Sequence, residues 1–174
     1  MAMVPAAALP TADLPEAALP PLHGPAPGLY RHYKGGWYEV LGTARCSETL
    51  QGMALYRALY GEGLKESTDG GTALWVRPAG MFSETDRFAG HQQSRFAHHD
   101  PASVLLADLP TAHALIAHLR GLARRSSTDL DTALRPPPPE PTTCCERGCN
   151  GCVWEGFYIA LDGWRSDALA LLAG

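Results

Sequence analysis

The sequence predicts an α+β protein, with a small β-rich unit, then a helix, then a short cysteine-rich helical module. Three observations predict it. Residues 29–97 carry short runs of aromatic and β-branched residues separated by glycine-rich turns. Within residues 102–125 the pattern changes to apolar residues at helical spacing. Four of the five cysteines then fall within the nine residues 144–152, at the start of a second helical pattern.

Residues 1–27 form a proline- and alanine-rich tail with a loose xxxLP repeat. Proline removes backbone donors and the segment offers little large apolar surface, so it is expected to be disordered. The β unit spans residues 28–97. "GWYEVLGTARC" reads as a strand with Tyr38, Val40 and Gly42 on one parity. "MALYRALYG" fits a strand or a helix, because both periodicities match. "GEGLKESTDGG" is a polar loop. "TALWVRPAGMF" puts Leu74 and Val76 on one side and Trp75 and Arg77 on the other, and Pro78 ends it. Such a set fits a small barrel or sandwich. With its own turns and nearly balanced charge, the unit is expected to fold alone and melt cooperatively.

Residues 98–135 read as a helix and a linker. Asp108 or Thr111 can cap the helix, and Pro110 suits its first turn. Leu115, Ile116, Leu119 and Leu122 make its apolar face. Arg120, Arg124 and Arg125 lie toward its C-terminal end, where cations complement the dipole. Pro136–Pro139 open the last module, residues 136–174, as a stiff polyproline spacer. Trp154, Phe157, Leu161, Trp164, Ala168 and Leu171 recur at helical spacing there and need a partner surface.

The formal net charge of −4 argues against generic nucleic-acid affinity. No uninterrupted apolar run reaches the length of a membrane span. The N-terminus lacks the basic start and apolar core of a secretory signal, so the expected compartment is the cytoplasm. In that compartment clustered cysteines are more often metal ligands or redox thiols than structural disulfides. Walker, dinucleotide-binding and hydrolase-triad patterns are missing from the sequence.

"GLYRHYKGGWYEVLGTARCSET", "LYRALYG" and "LWVRPAGMFSE" together resemble the bacterial domain of unknown function family 1653, in the family's order and over about residues 28–96. The resemblance implies an SH3-like barrel and no settled activity. The family usually has histidine in an "ARHSET" motif, where this chain has Cys46. Small barrels present loops and a groove to a ligand or partner. The polar and aromatic candidates for that surface are Arg31, His32, Tyr33, Arg45, Glu48, Thr49, Arg57, Trp75 and Arg77. Arginine and tryptophan supply stacking and bidentate anion contacts, so an anionic or nucleotide-like small molecule, or a protein partner, is expected. In the alternative, Tyr33, Trp37, Tyr56 and Trp75 fill space, and Arg31 and Arg57 pair with Glu39 and Glu48 on the surface. His98 and His99, adjacent in an extended segment, should point to opposite faces rather than share a metal.

The cysteine spacing is Cys144–Cys145–x3–Cys149–x2–Cys152. The Cys149–Cys152 pair leads into a helix, whose N-terminal N–H groups and dipole favour thiolate. Thiolate serves either metal ligation or redox chemistry. Cys144, Cys145, Cys149 and Cys152 are therefore candidate ligands for zinc or an iron–sulfur cluster. Cys149 and Cys152 are the candidate catalytic pair if the site is a redox dithiol. Cys46 lacks this position and is expected to be the less acidic thiol. "PPPPEPTTCCERGCNGCVWEGFY" resembles the oxidoreductase-like domain family over about residues 136–165, which implies a thiol or metal module. The expectation is thus a binding or adaptor protein with a metal-holding or redox-sensing cysteine cluster. The alternative is a thiol–disulfide oxidoreductase or electron-transfer protein, although the βαβ scaffold of thioredoxin-type enzymes is not in the pattern.

Overall fold

The computed structural model describes residues 19, 21–61, 64, 73–88, 90–143 and 152–174. They form strands β1 (Gly28–His32), β2 (Trp37–Arg45), β3 (Gly52–Ala58), β4 (Trp75–Pro78), β5 (Thr85–Phe88), β6 (His91–Ser94) and β7 (Phe96–His99). A 3-10 turn, Ala79–Phe82, follows β4. The helices are α1 (Leu109–Arg125), α2 (Leu130–Ala133) and α3 (Val153–Ala173). The result is a mixed α+β chain, with an antiparallel five-stranded sheet followed by helices.

The sheet runs β4-β3-β2-β1-β7, and β5 and β6 form a separate hairpin. β1 and β2 are joined by a tight turn in which Gly35 takes φ 96° and donates to the His32 carbonyl at 2.7 Å. A positive φ there favours glycine over any side chain. The segment that fitted both periodicities is strand β3, because it pairs with β2 on one side and β4 on the other. Its neighbours, distant in sequence, decide the matter. Between Val40 and Gly42 the register of β2 shifts by a bulge. An extra residue flips the faces that follow, so Gly42 does not share the parity of Tyr38 and Val40 as the alternation suggested.

Each face of the sheet has its own core. On one, Tyr30, Val40, Ala54, Tyr56, Phe82 and Phe96 pack together. Phe82, just beyond β4, stacks on Phe96 of β7 with ring centroids 4.3 Å apart. The two outer strands of the sheet are thereby drawn toward each other over this face. On the other face, Leu29, Trp37 and Leu59 join Leu115 and Leu119 of α1 and Phe157, Leu161, Trp164 and Ala168 of α3. Each large apolar side chain buried here is worth about 1.5–3 kcal/mol. One of the two cores of residues 28–97 is thus shared with both long helices.

Asp108 caps α1, its carboxylate accepting from the Thr111 N–H at 2.7 Å, with Pro110 in the first turn. Thr111 is not the cap. Its hydroxyl instead accepts from Trp37 Nε1 at 3.1 Å across the sheet–helix interface. The α3 stripe is as expected, with Phe157, Leu161, Trp164 and Ala168 buried, except that Leu171 is exposed. Its partner surface is α1. The linker expectation is corrected in part. Asp129 caps the short α2, whose Leu130 is buried in the shared core. Trp164 Nε1 donates to the Arg135 carbonyl at 3.1 Å, which ties the start of the proline run to α3.

The shared core contains a charge cluster that no local sequence pattern announces. Glu39 of β2 is 0% exposed. Arg57 of β3 donates to its Oε2 from Nε at 2.6 Å, and Arg57 Nη2 lies 2.5 Å from the same oxygen. Arg125 of α1 donates to Oε1 at 2.5 Å. His118 Nδ1, also buried, is 2.9 Å from Oε1, off the ideal line of a hydrogen bond but close enough for a strong electrostatic contact. Burial alone would push the Glu39 carboxyl up, but the His118 contact and the charges of Arg57 and Arg125 outweigh it and hold it below its usual range. Arg57 Nη2 also reaches the Ala117 carbonyl at 3.3 Å. Gly121 permits that approach, since a Cβ there would run into the guanidinium.

Removing one partner of such a cluster leaves buried charge unpaired. Glu39→Gln is expected to cost about 3–5 kcal/mol in chemical denaturation, whereas replacing Glu39 and Arg57 together by methionine should cost less than the sum of the single changes. Because the folded carboxyl is more acidic than the unfolded one, its stabilising contribution is complete above the ordinary carboxylate range. It is lost as pH falls through the folded value. Glu39→Gln should flatten this part of the acid limb of a stability–pH curve; an unchanged limb would mean that other carboxylates set it.

Candidate functional site

Seven of the nine residues expected to form a ligand surface separate by face. His32, Trp75 and Arg77 share the aromatic face, and Tyr33 extends it at the end of β1. His32 lies 4.4 Å from the Tyr33 ring, 6.4 Å from Tyr38 and 4.8 Å from Phe96. Tyr38 continues the series to Tyr60, whose hydroxyl is 2.7 Å from its own. Burial first, and then this hydroxyl contact, push the Tyr38 phenol up, so it stays neutral. The Arg77 guanidinium covers Tyr56 at 5.7 Å and Phe96 at 5.5 Å. Trp75, opposite Tyr56 in the register, is 58% exposed on the edge strand. His32 Nδ1 accepts from the Lys34 N–H at 3.2 Å, so the neutral ring carries its proton on Nε2.

This rim joins aromatic faces, an imidazole and a cation at one side of the sheet. It can stack on a planar group and offer it a guanidinium. Tyr38 and Tyr60 were not among the candidates. Their signal is tertiary: residues 22 apart meet only because β2 and β3 pair.

The other three candidates lie elsewhere. Arg31 faces the helices, over the Trp37 ring at 5.2 Å and 3.9 Å from Asp108. Arg57 is corrected from ligand-facing to buried. Its expected pairing with Glu39 exists, but in the interior, because α1 covers that face. Arg45 braces the turn after β2, donating from Nη1 to the Leu50 carbonyl at 3.1 Å. His98 and His99 point to opposite faces as expected, to Tyr30 and to Trp37 respectively. Burial, with Arg31 and His98 nearby, lowers the pKa of His99. Asp100 turns the chain after β7, accepting from the Ala102 N–H at 2.9 Å.

Of the cysteine cluster, Cys144, Cys145 and Cys149 lie outside the described residues. Cys152 occupies the N-cap of α3, where its carbonyl accepts from the Gly156 N–H at 3.1 Å and its partly exposed thiol makes no capping hydrogen bond. A groove of about 570 Å³ runs along the first turns of α3, between Leu105 and Leu106 on one side and Trp154, Tyr158 and Ile159 on the other. Among the described residues, no group of three or more histidine, cysteine, aspartate or glutamate side chains converges as metal ligands would. The Thr49 hydroxyl, then the backbone N–H groups of Thr49 and Glu48, lower the pKa of Cys46. The turn that does this is closed by Cys46 N–H donating to the Gln51 carbonyl at 2.9 Å, with Leu50 at φ 58°.

Residues 28–98 match the family model described as Protein of unknown function (DUF1653). Residues 132–171 match the model described as Oxidoreductase-like protein, N-terminal. The chain joins these two domains. A crystal structure of a protein belonging to the DUF1653 family from Bordetella bronchiseptica is 35% identical, covering 42% of this chain and 86% of that chain, with a TM-score of 0.36. Comparison with curated proteins gives no match. Helix α1 lies between the two matched segments, so His118 and Arg125, which hold Glu39, come from outside the DUF1653 domain. No helix among the described residues is long and apolar enough to cross a membrane.

The Cys46 turn makes a specific prediction. Alkylation by iodoacetamide, followed by mass spectrometry across pH, should show Cys46 reacting below the pH range of an ordinary thiol. Thr49→Val removes the hydroxyl donor and should move that profile upward; a profile that does not move would assign the effect to the backbone alone.

Proposed function

We propose that this two-domain protein is a binding or adaptor protein. In this reading the DUF1653 domain is an SH3-like barrel that presents its aromatic rim to a planar, anionic small molecule, and the C-terminal cysteines hold a metal or respond to redox state. The carrying observation is the convergence of His32, Tyr33, Tyr38, Tyr60, Trp75 and Arg77 on one face of the sheet. The curl that brings Phe82 onto Phe96 supports the barrel. For the second domain the support is the four-cysteine spacing, with Cys152 at a helix start. That donor set of thiolates suits zinc or an iron–sulfur cluster, with Cys144, Cys145, Cys149 and Cys152 as the ligands. Zinc would tie the cysteine segment to α3; an iron–sulfur cluster would carry an electron. A dithiol made of Cys149 and Cys152 is the competing arrangement. It is less supported, because the five-stranded sheet is antiparallel throughout rather than the βαβ scaffold of such enzymes.

Nicotinate, a planar carboxylate without phosphate, is a suitable first probe, followed by tyrosine fluorescence on the full chain. Arg77→Ala should abolish its binding and His32→Ala should weaken it, both with stability within about 1 kcal/mol of the parent, since both side chains are only partly buried. Nicotinate binding that both variants retain would place recognition away from the rim. For the second domain, Cys149→Ser should lose metal from anaerobically purified protein and reduce helix content by circular dichroism. Retained helix with lost thiol–disulfide cycling would favour the dithiol instead.

A further inference from the structure

The two most exposed large apolar side chains among the described residues line one groove. Leu105 is 79% exposed and Ile159 67%, and both border the groove of about 570 Å³ at the first turns of α3, with Leu106, Trp154 and Tyr158. A single exposed leucine is ordinary, but a contiguous apolar lining marks an interaction surface. We propose that this groove docks a basic amphipathic helix of a partner protein. The surface is separate from the aromatic rim, and its recognition does not depend on what the cysteines hold.

Shape and charge both select that occupant. On α3 the lining residues Trp154, Tyr158, Asp162 and Arg165 recur at four, four and three, so they form one ridge. The ridge is about 16 Å long at about 1.5 Å per residue, the length of about three turns of a partner helix. The facing wall, Ser103 to Ala107, is fixed before a partner arrives. Val104 is buried, its N–H donates to the Asp100 carbonyl at 3.0 Å, and its own carbonyl accepts from Arg165 at 2.7 Å. Leu106 packs on the shared core, which leaves Leu105 outward between them. A wall already in place lowers the ordering cost of binding. The groove has an acidic edge. Glu155 and Asp162 line it, and Arg165, the one cation among the lining residues, is committed to Asp162 and the Val104 carbonyl. Burial, then the negative charges of Asp108 and Glu140, push the Tyr158 phenol up, so two further carboxylates act on the same end. Asp108 meets Arg31 and Glu140 meets His113, whereas Glu155 has no ion pair among the described residues and is left for a partner's cation. A second copy docking through the same face would set acidic edge against acidic edge, so the charge selects a basic partner instead.

The test uses the full chain and two labelled synthetic peptides, about four helical turns long, with leucines at amphipathic helical spacing and either lysine or glutamate at the remaining positions. Fluorescence anisotropy should show saturable binding of the leucine–lysine peptide and at least about tenfold weaker binding of the leucine–glutamate peptide. Glu155→Lys should weaken the lysine peptide by about tenfold and strengthen the glutamate peptide, a reversal that lost packing alone would not give. Ile159→Ser and Leu105→Ser, from the two walls, should each weaken the lysine peptide by about tenfold. All three side chains are exposed, so the melting curves of the variants should match the parent's. Arg77→Ala, on the aromatic face, should leave peptide binding unchanged, which separates this inference from the fate of the rim. No saturable binding, equal binding of the two peptides, or binding that survives both Glu155→Lys and Ile159→Ser overturns the proposal. Self-association, or sedimentation with phosphatidylserine vesicles, that Ile159→Ser abolishes would assign the groove to a second copy or to a membrane and overturn it as well.

Discussion

A single fully buried carboxylate organises the helix side of this protein. Glu39 carries its charge at the centre of the sheet, and the groups that answer it come from two other elements: Arg57 from β3, Arg125 and His118 from α1. A lone carboxylate in that position would be neutral or the fold would open. The cluster therefore sets where α1 can lie, and α1 in turn sets where α3 can pack. Apolar packing on this face is extensive, but it is non-directional. The charge contacts supply the direction.

The same arrangement explains why the two faces of one sheet behave differently. The helix face has its aromatic Trp37 committed to Thr111 and its arginines Arg57 and Arg125 committed to Glu39. On the opposite face the rings pack on one another, and the outermost of them, with Arg77, meet solvent at the rim. An aromatic on one face is structural and its strand neighbour, one residue along, is available for recognition. Trp37 in the helix-side core and Tyr38 on the opposite face, next to Tyr60, show this alternation directly.

The junction between the two domains is equally physical. Neither matched segment includes α1, yet α1 contacts the sheet through Thr111, Ala117, His118 and Arg125, and α3 through their shared core. A change at the start of α3, where Cys152 stands, has a continuous packed route through Phe157 and Leu161 to α1 and so to Glu39. Arg165, donating to the Val104 carbonyl at 2.7 Å, holds the segment before α1 to the same helix.

The sequence by itself determined the local features. Helix α1 with its cap narrowed to Asp108 or Thr111, the buried stripe of α3 and the position of Cys152 at a helix start all depend on residues within a few positions of one another, where capping geometry and the 3.6-residue period are decisive. Tertiary structure decided everything that depends on pairing. Segment 52–58 is a strand because β2 and β4 flank it, and β1, β5, β6 and β7 were too short to stand out by alternation. Arg57 and His118 look like surface residues in sequence. They are interior because an antiparallel pair places Arg57 opposite Glu39 and a helix 60 residues away closes over both. The rim was legible for four of its six residues: His32, Tyr33, Trp75 and Arg77 by residue type, Tyr38 and Tyr60 only by register. Charge and aromaticity are written in composition, but which face a side chain joins is set by strand partners distant in the chain, and a one-residue bulge is enough to reverse it.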